Sequence, residues 1–178
     1  DSILSSFDSE INTVKMMDVV QLCEAEHEHD EFDTEHLHAE TEEYDEHVWT
    51  SPVNAVEIVE AISEKLQLSD TENADIYAQN TEKYIGELIE LDRKFEAMIS
   101  SAHGNTIIIG DRFPLMYFTE RYGLEYESAF PGCSAQTEAN PTTLAVLINR
   151  VKSENIDVVF KVDLSKGSVA ETICEATG

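Results

Sequence analysis

Apolar residues recur at helical spacing in two long stretches of the chain. In "SPVNAVEIVEAISEKLQ", residues 51 to 67, Val56, Val59, Ile62 and Leu66 fall three or four apart and predict one apolar helix face. Ser51 is placed to cap this helix. Pro52 suits its first position, where a missing N–H costs nothing. A second helix start follows in "SDTENADIY", where Ser69, Asp70 and Thr71 precede acids in the first turn. Tyr77, Tyr84, Leu88, Leu91, Phe95 and Met98 carry its period to Ser101. About 30 residues of helix run roughly 45 Å. That exceeds the width of a small domain and predicts a helix spanning two lobes.

Beyond it, strand and helix patterns alternate. "TIIIGD", residues 106 to 111, reads as a short buried strand. "PLMYFTERYG" reads as a helix closed by Gly123, and "LEYESAF" as a second strand. "NPTTLAVLINRVKSEN" is a helix capped by Asn140 with Pro141 at its start. "IDVVFKV" is a third buried strand, and "SKGSVAETICEATG" a closing helix. The alternation predicts an α/β fold with a parallel sheet and right-handed crossovers. Ligands of such sheets sit beyond the carboxyl ends of strands. Near the start, "NTVKMMDVVQL" reads as a short strand leading into a turn or helix.

Charge changes the picture in one place above all. From Glu24 to Glu46 there are 12 Asp or Glu residues and no Lys or Arg, and five of the six histidines lie between His27 and His47. This tract has no usable period and too few apolar residues to offset ordering, so a mobile loop is expected. The whole chain carries 37 acids against 11 bases, a formal net charge of −26. Phosphates would be repelled, which argues against nucleic acid and anionic lipid as partners. The same balance suits a protein that handles cations, or equally one that must stay soluble outside a cell. Cys23, Cys133 and Cys174 form no CxxC pair, which excludes a zinc knuckle on spacing. Cys133 reads as a structural or disulfide-bonded cysteine, since no histidine base has a recognisable motif with it. No signal peptide and no transmembrane run is visible. No GxSxG, P-loop, GxGxxG or HExxH element occurs.

The candidate chemistry is therefore metal binding. His47 stands in "EYDEHVWTSPVNA", between acids and Trp49. Imidazole is a standard zinc donor, and Asp45 or Glu46 could orient its other nitrogen. By themselves the residues leave His47 either a ligand or a polar residue near solvent ahead of a helix. His27, His29, His36 and His38, spaced as "HEH" and "HLH", can wrap a divalent ion weakly on a loop. Asp111 at a strand end, Glu138 and, less so, Asp163 are carboxylate candidates, each with a plain loop or capping role as its rival. His103 reads as a helix-end residue facing the dipole.

Several stretches together resemble a family. "DEHVWTSPVNA" is similar to the Asp-Pro-His-x-Trp segment of zinc and manganese ABC-transporter solute-binding proteins, the cluster that includes the ZnuA and AdcA types. The helix from "TENADIY", then "YFTERYGL" and "IDVVFKVDLSKGSVAETICEATG", resemble it in the same order. The acidic His-rich loop ahead of the histidine-tryptophan segment resembles its zinc members. The resemblance implies a non-enzymatic, extracytoplasmic receptor, periplasmic or lipid-anchored. It would capture Zn2+, or alternatively Mn2+, for an ABC transporter permease. It implies two α/β lobes joined by a rigid helix. Residues 1–68 would end the N-terminal lobe, 69–101 form the helix, and 102–178 belong to the C-terminal lobe. Family members are longer, so the first and last ligands are expected outside this chain. His47 matches the family's ligand. The family's His or Glu ten residues before Tyr122 is here Arg112, which cannot bind a cation. Asp111 or Glu138 would then replace it, or Arg112 would pair with Glu138. The rival classes are a zinc hydrolase built on His47, Asp111 and Glu138 with an open water position, and a metal-buffering or adhesion protein.

Overall fold

The structure, a computed structural model, describes residues 12–25, 44–130 and 139–178. The tract histidines, Cys133 and Glu138 lie outside the described residues. The strand expected near the start is not formed there. Residues 12–15 are irregular, and Met16–Asp18 make one 3-10 turn.

Helix α1 spans Pro52–Ser69, with Pro52 in its first turn as expected. The Ser51 side chain makes no cap. Its carbonyl instead accepts the Ala55 N–H at 2.9 Å. The apolar face differs from the expected one, because Ile58 and Ser63 are buried while Ile62 and Leu66 stay 41% and 43% exposed. The contact with helix α2, Ala74–Ser100, explains the rotation. Thr81 of α2 donates its hydroxyl to Ser63 Oγ at 2.6 Å, so a polar pair takes the place an aliphatic seam would occupy. Helix α2 has 27 residues, about 40 Å at 1.5 Å each, and only Leu88 is buried along it. That suits a strut packed along one side by α1 and otherwise largely exposed. No helix among the described residues is long and apolar enough to cross a membrane.

Strand β1, Thr106–Arg112, leads to helix α3, Met116–Tyr122, and strand β2, Glu125–Phe130. Gly123 ends α3 at φ 64°, the left-handed conformation in which glycine alone pays no steric penalty. Helix α4, Pro141–Glu154, is capped by Asn140, whose side chain accepts the Thr142 N–H at 2.8 Å. Strand β3, Val159–Phe160, and helix α5, Ser168–Thr177, complete the order. The sheet runs β2-β1-β3 and both pairings are parallel. The expected third buried strand is thus corrected to a two-residue edge strand. Val158 and Phe160 are 54% and 51% exposed, because β3 pairs on one side only among the described residues. Ile108, Phe130, Leu147, Val151 and Ile173 form the main core between the sheet, α4 and α5. Gly110 lies against α5 with no space for a side chain. A Cβ there would stand 2.6 Å from Ala170 N and Cα.

One charged knot ties α3 to α2. Asp92 accepts from Arg121 at 3.1 Å (Nε) and 2.7 Å (Nη2), and from the Tyr122 hydroxyl at 2.9 Å. Phe118 meets Phe95 edge-on beside it, with ring centroids 5.0 Å apart. Burial pushes the Asp92 carboxyl up, but the Arg121 and Tyr122 hydrogen bonds and the Arg121 charge outweigh it and hold it below the usual range. Its contribution is present above the unfolded carboxylate value and is lost as pH falls through the lower folded value. Asp92→Asn is therefore expected to cost about 1–3 kcal/mol at neutral pH, with the melting-temperature gap to wild type closing below about pH 4. A gap that stays constant in acid would show that the charge is not what Asp92 contributes.

Candidate metal centre

The described residues from Tyr44 to Pro52 are arranged around His47. His47 precedes a 3-10 turn, Val48–Thr50, in which Val48 is wholly buried against Ile58 and Tyr117. Thr50 donates its N–H and its hydroxyl to the His47 carbonyl at 3.1 and 2.8 Å. The residue is thus fixed by its own backbone. Asp45, 5% exposed, fixes the ring. Its Oδ1 accepts the His47 N–H at 2.8 Å, and its carboxylate oxygens lie 3.2 and 3.3 Å from Nδ1. A carboxylate that accepts at this position places a proton on Nδ1, so in the neutral ring the lone pair is on Nε2. Nε2 meets no hydrogen-bond partner among the described residues. Trp49 stands beside the ring with centroids 5.7 Å apart.

Asp45, Glu46 and His47 each bring a donor atom within 4.8 Å of the others, and among the described residues this is the one such trio. Asp45 is the buried partner that sets the tautomer, the role a carboxylate plays behind a metal-bound imidazole. Glu46 is exposed.

Asp111 stands at the carboxyl end of β1, 7% exposed, outside that trio. Its oxygens accept the Arg112 N–H at 2.9 Å and draw on the Val162 N–H of the loop after β3. The Ser165 hydroxyl lies close, outside good hydrogen-bond geometry. Burial pushes this carboxyl up. The neighbouring Ser165, the two amides and Arg112 outweigh it and keep it ionised below the usual range. A carboxylate has about four lone-pair sites, so these donors orient Asp111 without using up its capacity to accept. Asp163 is taken up in its own turn, accepting the Leu164 N–H at 2.9 Å.

The ends of the acidic tract meet beside His47. Glu24 and Tyr44 form an antiparallel bridge, and Asp45 donates its N–H to the Cys23 carbonyl at 3.1 Å. The Cys23 thiol donates to the Glu120 carboxylate. Burial and that carboxylate push it up to about 12, so it keeps its proton at neutral pH. Tyr117 of α3 completes the junction. Its hydroxyl donates to the Asp45 carbonyl at 2.7 Å and accepts the Cys23 N–H at 3.3 Å. Nothing local in "PLMYFTERYG" marks this role. The one available signal is that a buried tyrosine hydroxyl needs a partner.

Residues 1–178 match the model of the family described as zinc-uptake complex component A, periplasmic. The chain belongs to the ZnuA family. It is 30% identical over 168 residues to the high-affinity zinc uptake system protein ZnuA of Bacillus subtilis, an alignment covering 94% of this chain and 51% of that protein. It is 28% identical over 155 residues to the zinc-binding lipoprotein AdcA of Streptococcus pneumoniae, covering 87% and 30%. Among solved structures, a Zn(II)-bound mutant variant of AdcAII from Streptococcus pneumoniae superposes with a TM-score of 0.74 at 25% identity, over 99% of this chain and 63% of that one. The chain thus spans about half or less of the curated relatives it matches. The ZnuA-type fold expected from the sequence, a parallel α/β sheet with a long helix, is the one found.

Proposed function

We propose that this chain is part of an extracytoplasmic zinc receptor that hands Zn2+ to an ABC permease, with His47 Nε2 as an inner ligand. One observation carries the reading. The His47 ring is held by Asp45 at Nδ1, while Nε2 meets no hydrogen-bond partner among the described residues. This arrangement fits a borderline-soft divalent ion, and it raises the basicity of the ligating nitrogen. The relatives, named for zinc uptake and zinc binding, support the same cargo. Imidazole favours zinc over manganese, which prefers oxygen.

Asp111 or Glu138 would contribute an oxygen donor from the C-terminal part of the chain. In this reading His27, His29, His36 and His38 collect ions on the tract whose described ends, Glu24 and Tyr44, pair three residues before His47. Ions held loosely there would be released next to the inner ligand. Residues 1–68, 69–101 and 102–178 serve as lobe end, strut and second lobe in this reading.

Asp45→Asn keeps the shape but removes the anionic acceptor at Nδ1. It is expected to weaken zinc binding about tenfold or more in chelator competition, with the fold intact by circular dichroism. Unchanged affinity would remove Asp45 from the site and the tautomer argument with it.

A further inference from the structure

A fully hydrogen-bonded antiparallel pair exchanges two N–H···O bonds. Cys23 and Asp45 exchange only one directly, from Asp45 N–H to the Cys23 carbonyl. The second is relayed through a side chain. The Cys23 N–H gives to the Tyr117 hydroxyl, which gives to the Asp45 carbonyl. Tyr117 is 3% exposed, and its ring packs with Val48 and Ile58, so the hydroxyl has no water to turn to. The phenol is therefore a built-in part of the backbone pairing at the base of the acidic tract. It belongs to α3, more than 70 residues away along the chain. The residue whose carbonyl it holds is the same Asp45 whose carboxylate holds His47 Nδ1. One turn along α3, Glu120 accepts from the Cys23 thiol, so both strands of the pair are fastened to a single helix.

We propose that Tyr117 is a positioning residue for zinc binding, a hydroxyl that sets His47 through the Asp45 backbone and so couples α3 to the metal histidine. It rests on His47 being an inner ligand. Removal of the hydroxyl frees the Asp45 carbonyl and loosens the carboxylate behind the imidazole. The neutral ring then loses its bias toward the Nδ1–H form.

The test compares the full chain with Tyr117→Phe, which keeps the packed ring, and with Phe118→Leu, which disturbs the same helix on its Phe95 side. Zinc affinity is read by chelator competition. The His47 tautomer is read in metal-free protein from two-bond 15N–1H spectra. Tyr117→Phe is expected to weaken the His47-dependent zinc site about tenfold and to lower the Nδ1–H share. Phe118→Leu is expected to lower the melting temperature and leave affinity and tautomer alone. The inference is overturned if Tyr117→Phe keeps affinity within about twofold and the tautomer unchanged. It is equally overturned if Phe118→Leu weakens zinc binding as much, since any disturbance of α3 would then suffice. If wild type shows no His47-dependent zinc binding, the receptor reading fails by itself, and the tautomer comparison still decides whether Tyr117 positions the ring.

Discussion

Substitution of His47 by alanine is expected to abolish tight zinc binding and leave only a weak, multi-ion class. Structural zinc sites spread about 10–16 kcal/mol over roughly four ligands, and on that scale one imidazole is worth about 3 kcal/mol, or roughly a hundredfold in affinity. The loss is specific because the surroundings remain. Val48 stays wholly buried and Asp45 keeps its bonds to Cys23 and Tyr117, so no large change in melting temperature accompanies it. Calorimetric zinc titration of the two proteins at neutral pH reads the difference. The weak class persists in the variant because its acids and tract histidines are untouched.

The largest stability effect is expected at Gly110. An alanine Cβ would meet the Ala170 backbone at 2.6 Å, and a helix backbone cannot rotate away as a side chain can. Either β1 or α5 must shift, and α5 holds Ile173, one of the fully buried residues of the core. Gly110→Ala should cost roughly 3 kcal/mol, or about 6–12 °C in melting temperature for a chain of this size. Thermal unfolding by circular dichroism checks it. Gly86 of α2 has nothing within 4 Å of the same added atom, so Gly86→Ala is the matched control and should be neutral or stabilising.

Local chemistry explains what was legible beforehand. Pro52, Asn140 with Pro141, and Gly123 are punctuation that acts within one turn, and the helices begin and end where these residues require. The parallel sheet followed from alternation alone. Two readings failed where distant partners decide. Ile62 and Leu66 have the right spacing for a core face, but α2 docks through Ser63 and Thr81, which periodicity cannot weigh. "IDVVFKV" is apolar enough for a central strand, yet its place at the sheet edge is set by the strand order. The site divides in the same way. His47 and its carboxylate partner lie within three residues of each other and could be suspected from "DEH". Tyr117 could not, since its bond to Asp45 spans 72 residues and exists only once α3 has docked.

The most direct measurement is a two-bond 15N–1H spectrum of the histidine side chains at half an equivalent of zinc. If His47 is an inner ligand held by Asp45, its resonances move first, with Nδ1 still protonated and Nε2 shifted by coordination. Those of His27, His29, His36 and His38 follow only as zinc is added in excess. If the tract histidines respond first and His47 stays unmoved, metal binding in this chain belongs to the acidic tract and His47 is not a zinc ligand.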